Sequence, residues 1–190
     1  MSSSIAGAQR GTTLIEVLVT VLIVSIGLLG LAGLQQRMLL SEMESYQRVQ
    51  ALLLLNDMAS RIVVNRASAA EYVTDEPLGA GMSCPTDPAT RPEIDAAEWC
   101  QALQGAAEVT TTESNVGAMV GGRGCVEQLP NNEYMITVAW QGLGPVSAPP
   151  SSVACGQGEY DDDGESDCSQ DRCRRAVTTV VRIASLSAPP

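Results

Sequence analysis

Glu16 is the residue whose chemistry most needs an explanation, because it lies at the start of a long apolar segment. Residues 17–36 contain no charged side chain. A carboxylate in such a segment costs on the order of 2.5–3.5 kcal/mol on membrane-insertion scales unless it is paired. Cleavage between Gly11 and Thr12 would create an α-amine close to Glu16 in the chain. The sequence therefore predicts a charge pair between Glu16 and a processed amino terminus of the same chain or of a neighbouring one.

The apolar segment that must position Glu16 is long enough to cross a bilayer. From Val17 to Gln36 an α-helix rises ~30 Å, which is the thickness of the hydrocarbon core. Because the helical pattern continues beyond this segment, we expect a retained anchor and not a cleaved secretory signal. Arg10, on the short amino-terminal side, predicts that this side is cytoplasmic. Snorkelling of the carboxylate to the cytoplasmic interface is the alternative role for Glu16.

Composition argues against several classes of function. The chain has no histidine, a net charge of -11, and 11 basic residues that are all arginine. Without histidine the usual general base and the commonest metal ligand are missing. No nucleophile motif or metal-ligand spacing is visible, so we expect no enzyme and no cofactor. The acidic balance disfavours nucleic acid, which binds basic surfaces. The one basic cluster is predicted to be a solvated strand entry, and it comprises Arg172, Arg174 and Arg175.

The amino-terminal residues resemble those of type IV prepilins. A short polar leader ends in Gly11, and TTLIEVLV at residues 12–19 leads into the apolar helix. The stretches SIGLLGLAGLQ, RGC, VAWQGL, CGQGEY and RRAV further resemble the PilV subgroup of minor pilins, the type IV pilus modification proteins. The resemblance implies cleavage after Gly11 by a prepilin peptidase, methylation of the new amine on Thr12, and a role for Glu16 in recruitment and helix register. In two departures, Thr12 replaces the usual Phe, and Gly33 replaces a helix-bending proline of many major pilins.

The resemblance also implies an organisation and a location. It implies a leader at 1–11, a transmembrane half of one long helix at 12–36, a periplasmic half at 37–67, and a globular domain at 68–190. The chain would be a minor pilin that primes or supports type IV pilus assembly, first in the bacterial inner membrane and later in the extracellular pilus. Expected partners are other minor pilins, the major pilin, prepilin peptidase and the inner-membrane assembly platform, with a pilus-tip adhesin as a further candidate. The alternatives are a minor pseudopilin of a type II secretion system and an adhesive or calcium-binding module at the pilus tip.

The remaining pattern predicts an α+β, pilin-like fold, with a long amino-terminal α-helix packed on a small antiparallel sheet. The helix is expected from about Thr13 to Ala67. Its predicted core-facing stripe comprises Leu39, Met43, Tyr46, Leu53 and Ile62. A short helix is expected over 93–106, with Ile94, Trp99 and Leu103 on its inner side. Alternating apolar residues predict strands at 134–140 and 176–185. Residues 109–112 and 116–120 are shorter strand candidates.

Six cysteines after an apolar amino-terminal segment, with no C-x-x-C pair, predict disulfides formed in an oxidising compartment. Loop closure and the predicted strand order favour the pairs Cys84–Cys100, Cys125–Cys155 and Cys168–Cys173. The second of these pairs also resembles the PilV pattern. A crossed pairing of Cys125 or Cys155 with Cys173 stays open.

An acidic loop before the last predicted strand offers a weak calcium site. Clustered carboxylate oxygens suit this hard cation, but their spacing does not fit the EF-hand loop. We therefore expect a solvated acidic loop, with calcium binding as the alternative. The candidate ligands are Asp161, Asp163, Glu165 and Asp167.

Overall fold

The computed structural model describes residues 13–105, 119–161 and 167–184. A long helix, α1 (Leu14–Val64), is followed by a 3-10 helix (Arg66–Tyr72) and a second α-helix, α2 (Arg91–Leu103). Four strands form one antiparallel sheet in the order β1-β2-β3-β4. They are β1 (Leu78–Gly79), β2 (Arg123–Leu129), β3 (Glu133–Gln141) and β4 (Arg174–Arg182). With its disulfides, this arrangement confirms the predicted α+β pilin-like class. The chain divides into two compact units, 1–42 and 43–190.

The carboxyl-terminal part of α1 contributes one face to the core, and this face differs from the predicted stripe. The buried residues are Gln47, Ala51, Leu55, Met58 and Ile62. Leu39, Met43, Tyr46 and Leu53 are all exposed, so only Ile62 of the predicted stripe is in the core. An α-helix turns by about 100° per residue. Met43, Tyr46 and Leu53 therefore lie, on average, roughly 120° around the helix axis from the centre of the buried face. The prediction followed the largest apolar residues, whereas the core side uses a small residue and a polar one.

A capping box marks the start of helix α2. The Glu93 N–H donates to Thr90 Oγ1 at 3.4 Å, and the Glu93 carboxylate accepts the Thr90 N–H at 3.0 Å. This capping box satisfies two otherwise free donors. Hydrogen bonds from the backbone N–H groups of Thr90 and Ala89 hold the pKa of Glu93 below its ordinary value. The helix therefore begins two residues before the predicted start at residue 93.

The inner side of α2 is only partly as predicted. Trp99 and Leu103 are fully buried. Ile94 is half-buried, and Asp95 takes the neighbouring core position, 1% exposed. A charged side chain can occupy that position because an arginine and a tyrosine from other elements bond to it, as described below.

Strand β3 confirms the prediction at 134–140, but both of its faces are buried. Tyr134, Ile136, Val138 and Trp140 lie in the core. Thr137 and Ala139, on the opposite face, are also buried, so β3 is not half-exposed as expected. Cys125 lies opposite Thr137 in the β2–β3 ladder. Its disulfide to Cys155 holds the loop after β3 over this second face.

The edge of the sheet follows the predicted alternation more closely. In β4, Val177, Thr179 and Val181 are half-buried, while Thr178, Val180 and Arg182 are exposed.

Strand β2 was not predicted, because Gly124, Glu127 and Gln128 interrupt its apolar pattern. The strand candidate 109–112 lies outside the described residues. Of 116–120, only 119–120 are described, and these two residues are not in a strand.

Gly124 of β2 is the position where packing against α2 leaves no room for a side chain. A Cβ there would meet the Trp99 ring and, at 2.7 Å, Leu103 Cδ1. The Trp99 indole N–H donates to the Leu54 carbonyl at 3.0 Å, which fixes the ring. We expect Gly124→Ala to lower the free energy of unfolding by about 1–3 kcal/mol. For Gly144→Ala, where a Cβ meets nothing within 4 Å, we expect a change within about 0.5 kcal/mol. Chemical denaturation of the full chain in detergent would compare them, and equal midpoints would contradict this packing.

Candidate functional site

The first candidate site is the apolar amino-terminal part of α1. Its most apolar 18-residue window has a mean hydropathy of 2.7 and is 0% buried. By length and composition, α1 is the one described helix that could cross a membrane. The hydroxyls of Thr20 and Ser25 donate to the carbonyls of Val17 at 2.8 Å and Val21 at 2.7 Å. These polar side chains are therefore satisfied within the helix itself, as an apolar surrounding requires.

Three glycines leave open space along the same part of α1. A Cβ added at Gly27, Gly30 or Gly33 would meet nothing within 4 Å. The α-helix continues through all three positions, including Gly33, where many major pilins have a helix-bending proline. In membranes, small residues of this kind allow another helix to approach closely.

Glu16 lies in the first turn of α1, where the helix dipole favours a negative charge. Its backbone N–H donates to the Thr13 carbonyl at 3.0 Å, and its side chain is exposed. Gly11 and Thr12, the predicted cleavage residues, lie outside the described residues. The charge pair between Glu16 and a new α-amine therefore stays a prediction.

A second site, the Asp95 cluster, was missed by sequence reasoning. We define it as Asp95, Arg61, Tyr72, Arg91 and Glu98. The buried Asp95 carboxylate accepts hydrogen bonds from Tyr72 Oη at 2.6 Å and Arg61 Nη1 at 2.7 Å, and Arg91 Nη2 lies 2.9 Å away. The sequence shows the four-residue spacing of Arg91 and Asp95, but the predicted helix began after Arg91, so this spacing did not indicate a contact. The cluster joins α1, the 3-10 helix and α2.

For Asp95 and Arg61, hydrogen bonds and nearby opposite charges together change the pKa more than burial does. Burial alone would raise the pKa of Asp95, but hydrogen bonds from Tyr72 and Arg61 hold it below its ordinary value. Burial likewise opposes the charge of Arg61, yet its bonds to Glu98 and Asp95 raise its pKa. Burial and donation to Asp95 both raise the pKa of Tyr72. At neutral pH the cluster therefore holds an ionised carboxylate, a guanidinium and a neutral phenol, an arrangement suited to joining elements.

All three favoured disulfides are present. They are Cys84–Cys100, Cys125–Cys155 and Cys168–Cys173. No cysteine is free, so the crossed pairing with Cys173 does not occur. The last disulfide closes a short loop before β4, where Gln170 and Asp171 have φ values of 58° and 61°.

The predicted basic cluster is not a solvated patch. Arg174 is 1% exposed, and its guanidinium donates to the carbonyls of Val153 at 2.7 Å and Cys155 at 3.1 Å. Arg175 pairs with Glu44 at 2.7 Å. Only Arg172 of the three is exposed. Arg174 therefore holds the loop at residues 153–155 against the start of β4, and Arg175 does the same for α1. The three arginines do not form a continuous basic surface.

Two of the four candidate calcium ligands, Asp161 and Asp167, are among the described residues. Asp163 and Glu165 lie outside the described residues. Asp161 Oδ1 accepts the Asp171 N–H at 2.8 Å and so closes a loop. Asp167 is exposed. Within 13–105, 119–161 and 167–184, no group of three or more His, Cys, Asp or Glu residues could hold a metal ion.

The long helix with its exposed apolar start and the small disulfide-linked sheet define a pilin-like α+β protein with a candidate membrane anchor. Residues 33–107 match the family described as Type IV pilin Tt1218. Residues 7–32 match the prokaryotic N-terminal methylation motif, a span that includes Gly11, Thr12 and Glu16. These matches support a type IV pilin, a class of structural subunits that assemble with other pilins and the pilus machinery. No curated protein and no solved structure gives a significant match.

Proposed function

We propose that this chain is a minor pilin of the PilV type, which primes or supports type IV pilus assembly after cleavage behind Gly11. The observation that carries the proposal is the position of Glu16, in the first turn of an exposed apolar helix. An unpaired carboxylate there would be costly in a lipid environment. A counter-charge at the mature amino terminus removes that cost.

The mechanism follows from this electrostatic match. Cleavage behind Gly11 would leave an ammonium group on Thr12, four residues before Glu16 in the chain. In a bundle of such helices, Glu16 of one subunit can pair with the amine of its neighbour, which sets the axial register between them. The open space at Gly27, Gly30 and Gly33 lets neighbouring helices approach. The chain acts as a building block and is consumed by assembly.

The assignment to the PilV subgroup rests on the resemblance, and the four carboxyl-terminal stretches that carry it are neighbours in space. RGC at 123–125 lies in β2 beside VAWQGL at 138–143, and RRAV at 174–177 pairs with the same part of β3. CGQGEY at 155–160 is joined to RGC through the Cys125–Cys155 disulfide. A resemblance spread over four distant stretches of sequence therefore concerns one local structure.

The proposal includes a topology and a set of partners. The leader would be cytoplasmic and the chain from residue 37 onward periplasmic. Arg10 supports this orientation, and so do the three disulfides, which need an oxidising compartment. Its partners would be other minor pilins, the major pilin, prepilin peptidase and the assembly platform. Loss of twitching motility in a deletion strain is the expected phenotype. Loss of exoprotein secretion instead would favour the pseudopilin of a type II secretion system.

Intact mass of the chain from cells with and without prepilin peptidase tests the proposal. With the peptidase we expect a chain that starts at Thr12, carries one added methyl group and lacks the six hydrogens of three disulfides. Without the peptidase, residues 1–11 remain. Gly11→Val, which places a branched side chain at the cleaved bond, should keep the leader. The matched control Gly7→Val should lose it. A wild-type chain that retains the leader in peptidase-positive cells would contradict the proposal.

A further inference from the structure

Strand β4 is the outer strand of the sheet, and no described residue pairs with its free edge. At the two ends of the β3–β4 ladder, the Gly142 N–H donates to the Cys173 carbonyl at 2.8 Å and the Ile183 N–H to the Asn132 carbonyl at 2.9 Å. Hydrogen-bonded pairs alternate along an antiparallel ladder, so the odd-numbered residues of β4 bond to β3. The even-numbered residues turn their N–H and C=O groups to the open edge. They are Ala176, Thr178, Val180 and Arg182.

This edge leaves the core incompletely covered. Val177 and Val181 pack against the core but are only half-buried. On the adjacent β3, Ile136 and Val138 are 0% exposed. Val180, on the other face of β4, is 52% exposed. The middle of β4, residues 176–181, contains no charge, proline or glycine, which are devices that natural proteins use to block edge pairing.

An exposed arginine side chain lies near each end of the edge. At the start, a cavity of about 220 Å³ is lined by Glu44, Arg48, Trp140, Arg175, Ala176 and Val177. The Arg48 side chain is exposed and forms no hydrogen bond or ion pair with another described residue. At the other end, the Arg182 side chain is 71% exposed, and its Nε lies 3.7 Å from Glu133. Ala176 and Arg182 are separated by ~20 Å of extended strand.

We propose that the β4 edge accepts an extended segment of another protein, which adds a fifth strand and carries an acidic side chain at each end. Backbone hydrogen bonds to the four even-numbered residues would provide affinity, as in other cases of strand addition. Carboxylates at the ends would pair with Arg48 and Arg182. A second copy of this chain fits poorly, because its own β4 strand (Arg174–Arg182) carries three arginines and no carboxylate that could pair with Arg48 and Arg182. The proposal concerns the sheet edge and does not depend on the proposed function of the amino-terminal helix.

The experiment uses the full chain in detergent micelles and a synthetic peptide of about seven residues. The peptide alternates threonine and valine and has an aspartate at each end. We expect it to slow amide hydrogen exchange at Ala176, Thr178, Val180 and Arg182. Thr178→Pro removes an edge-facing N–H that the fold does not use, and proline is tolerated at such positions. This variant should bind the peptide about tenfold more weakly, whereas Thr178→Val should bind it normally.

A charge-swap variant keeps the test decisive if Thr178→Pro fails to fold. Arg182→Glu should weaken binding of the aspartate-flanked peptide and strengthen binding of the same peptide with arginine at each end. The proposal is overturned if the aspartate-flanked peptide leaves edge exchange unchanged at saturating concentration, or if the two peptides bind wild type equally. It is also overturned if the edge amides are already protected in a dimer of the free chain.

Discussion

We expect Glu16→Ala to lower incorporation of the chain into sheared fibres by at least about tenfold, while the proposed cleavage behind Gly11 continues. The alanine removes one partner of the proposed pair and leaves the ammonium of Thr12 without a counter-charge in the bilayer. Breaking a buried pair from one side costs several kcal/mol, since the other charge remains desolvated. Immunoblots of the sheared-fibre and membrane fractions measure incorporation, and intact mass confirms that the leader was removed.

Variants at the same helix end separate charge pairing from the alternative roles of Glu16. Glu16→Asp keeps the charge and should restore much of the incorporation. Glu16→Gln keeps size and hydrogen bonding but not the charge, so it should fail like alanine; if it assembles normally, the pairing is wrong and simple snorkelling becomes the better account. Thr20→Ala is the matched control, because the Thr20 hydroxyl is satisfied inside the helix by the Val17 carbonyl at 2.8 Å. It should assemble like wild type.

The second large effect is expected at Asp95, where alanine should lower the free energy of unfolding by about 3 kcal/mol. The substitution leaves the buried Tyr72 hydroxyl without the acceptor now at 2.6 Å, and takes from Arg61 its most buried carboxylate. Arg61 keeps Asp57 at 2.9 Å and Glu98 at 2.6 Å, which limits the loss. Denaturant unfolding of the full chain in detergent, followed by tryptophan fluorescence, measures it.

The lowered pKa of Asp95 also predicts how the free energy of unfolding changes with pH. Because the pKa of Asp95 is lower in the folded chain, its contribution is fully present above the ordinary aspartate pKa of ~3.9. The contribution is lost as the pH falls through the lower, folded-state value. Asp95→Asn should therefore flatten the decrease in stability below about pH 4. Glu98→Gln, at a carboxylate with 54% side-chain exposure, should change stability by less than about 1 kcal/mol. Equal acid sensitivity of wild type and Asp95→Asn would show that the cluster does not hold the fold.

The features that the sequence determined by itself depend on short-range patterns. The uncharged stretch at 17–36 predicts a helix long enough to cross a bilayer. The structure has a helix there, and its most apolar window is exposed. The alternation at 134–140 and 176–185 predicts strands because side chains on a strand alternate between two faces. Short loop closure favoured the three disulfide pairs, with separations of 5, 16 and 30 residues, but only the structure excluded a crossed pairing with Cys173. Glu16 stood out because a single charge beside an apolar stretch is visible without a structure.

Only the tertiary structure decided which surfaces meet. The core face of α1 uses Ala51 and Gln47, and no pattern within one helix shows which side a sheet will cover. Asp95 is buried because Arg61 and Tyr72 reach it from other elements, 34 and 23 residues away. Arg174 is buried because a loop some 20 residues earlier supplies carbonyls to it. Charge burial depends on partners brought together by folding, and the free energy of such a contact cannot be read from either residue's local sequence.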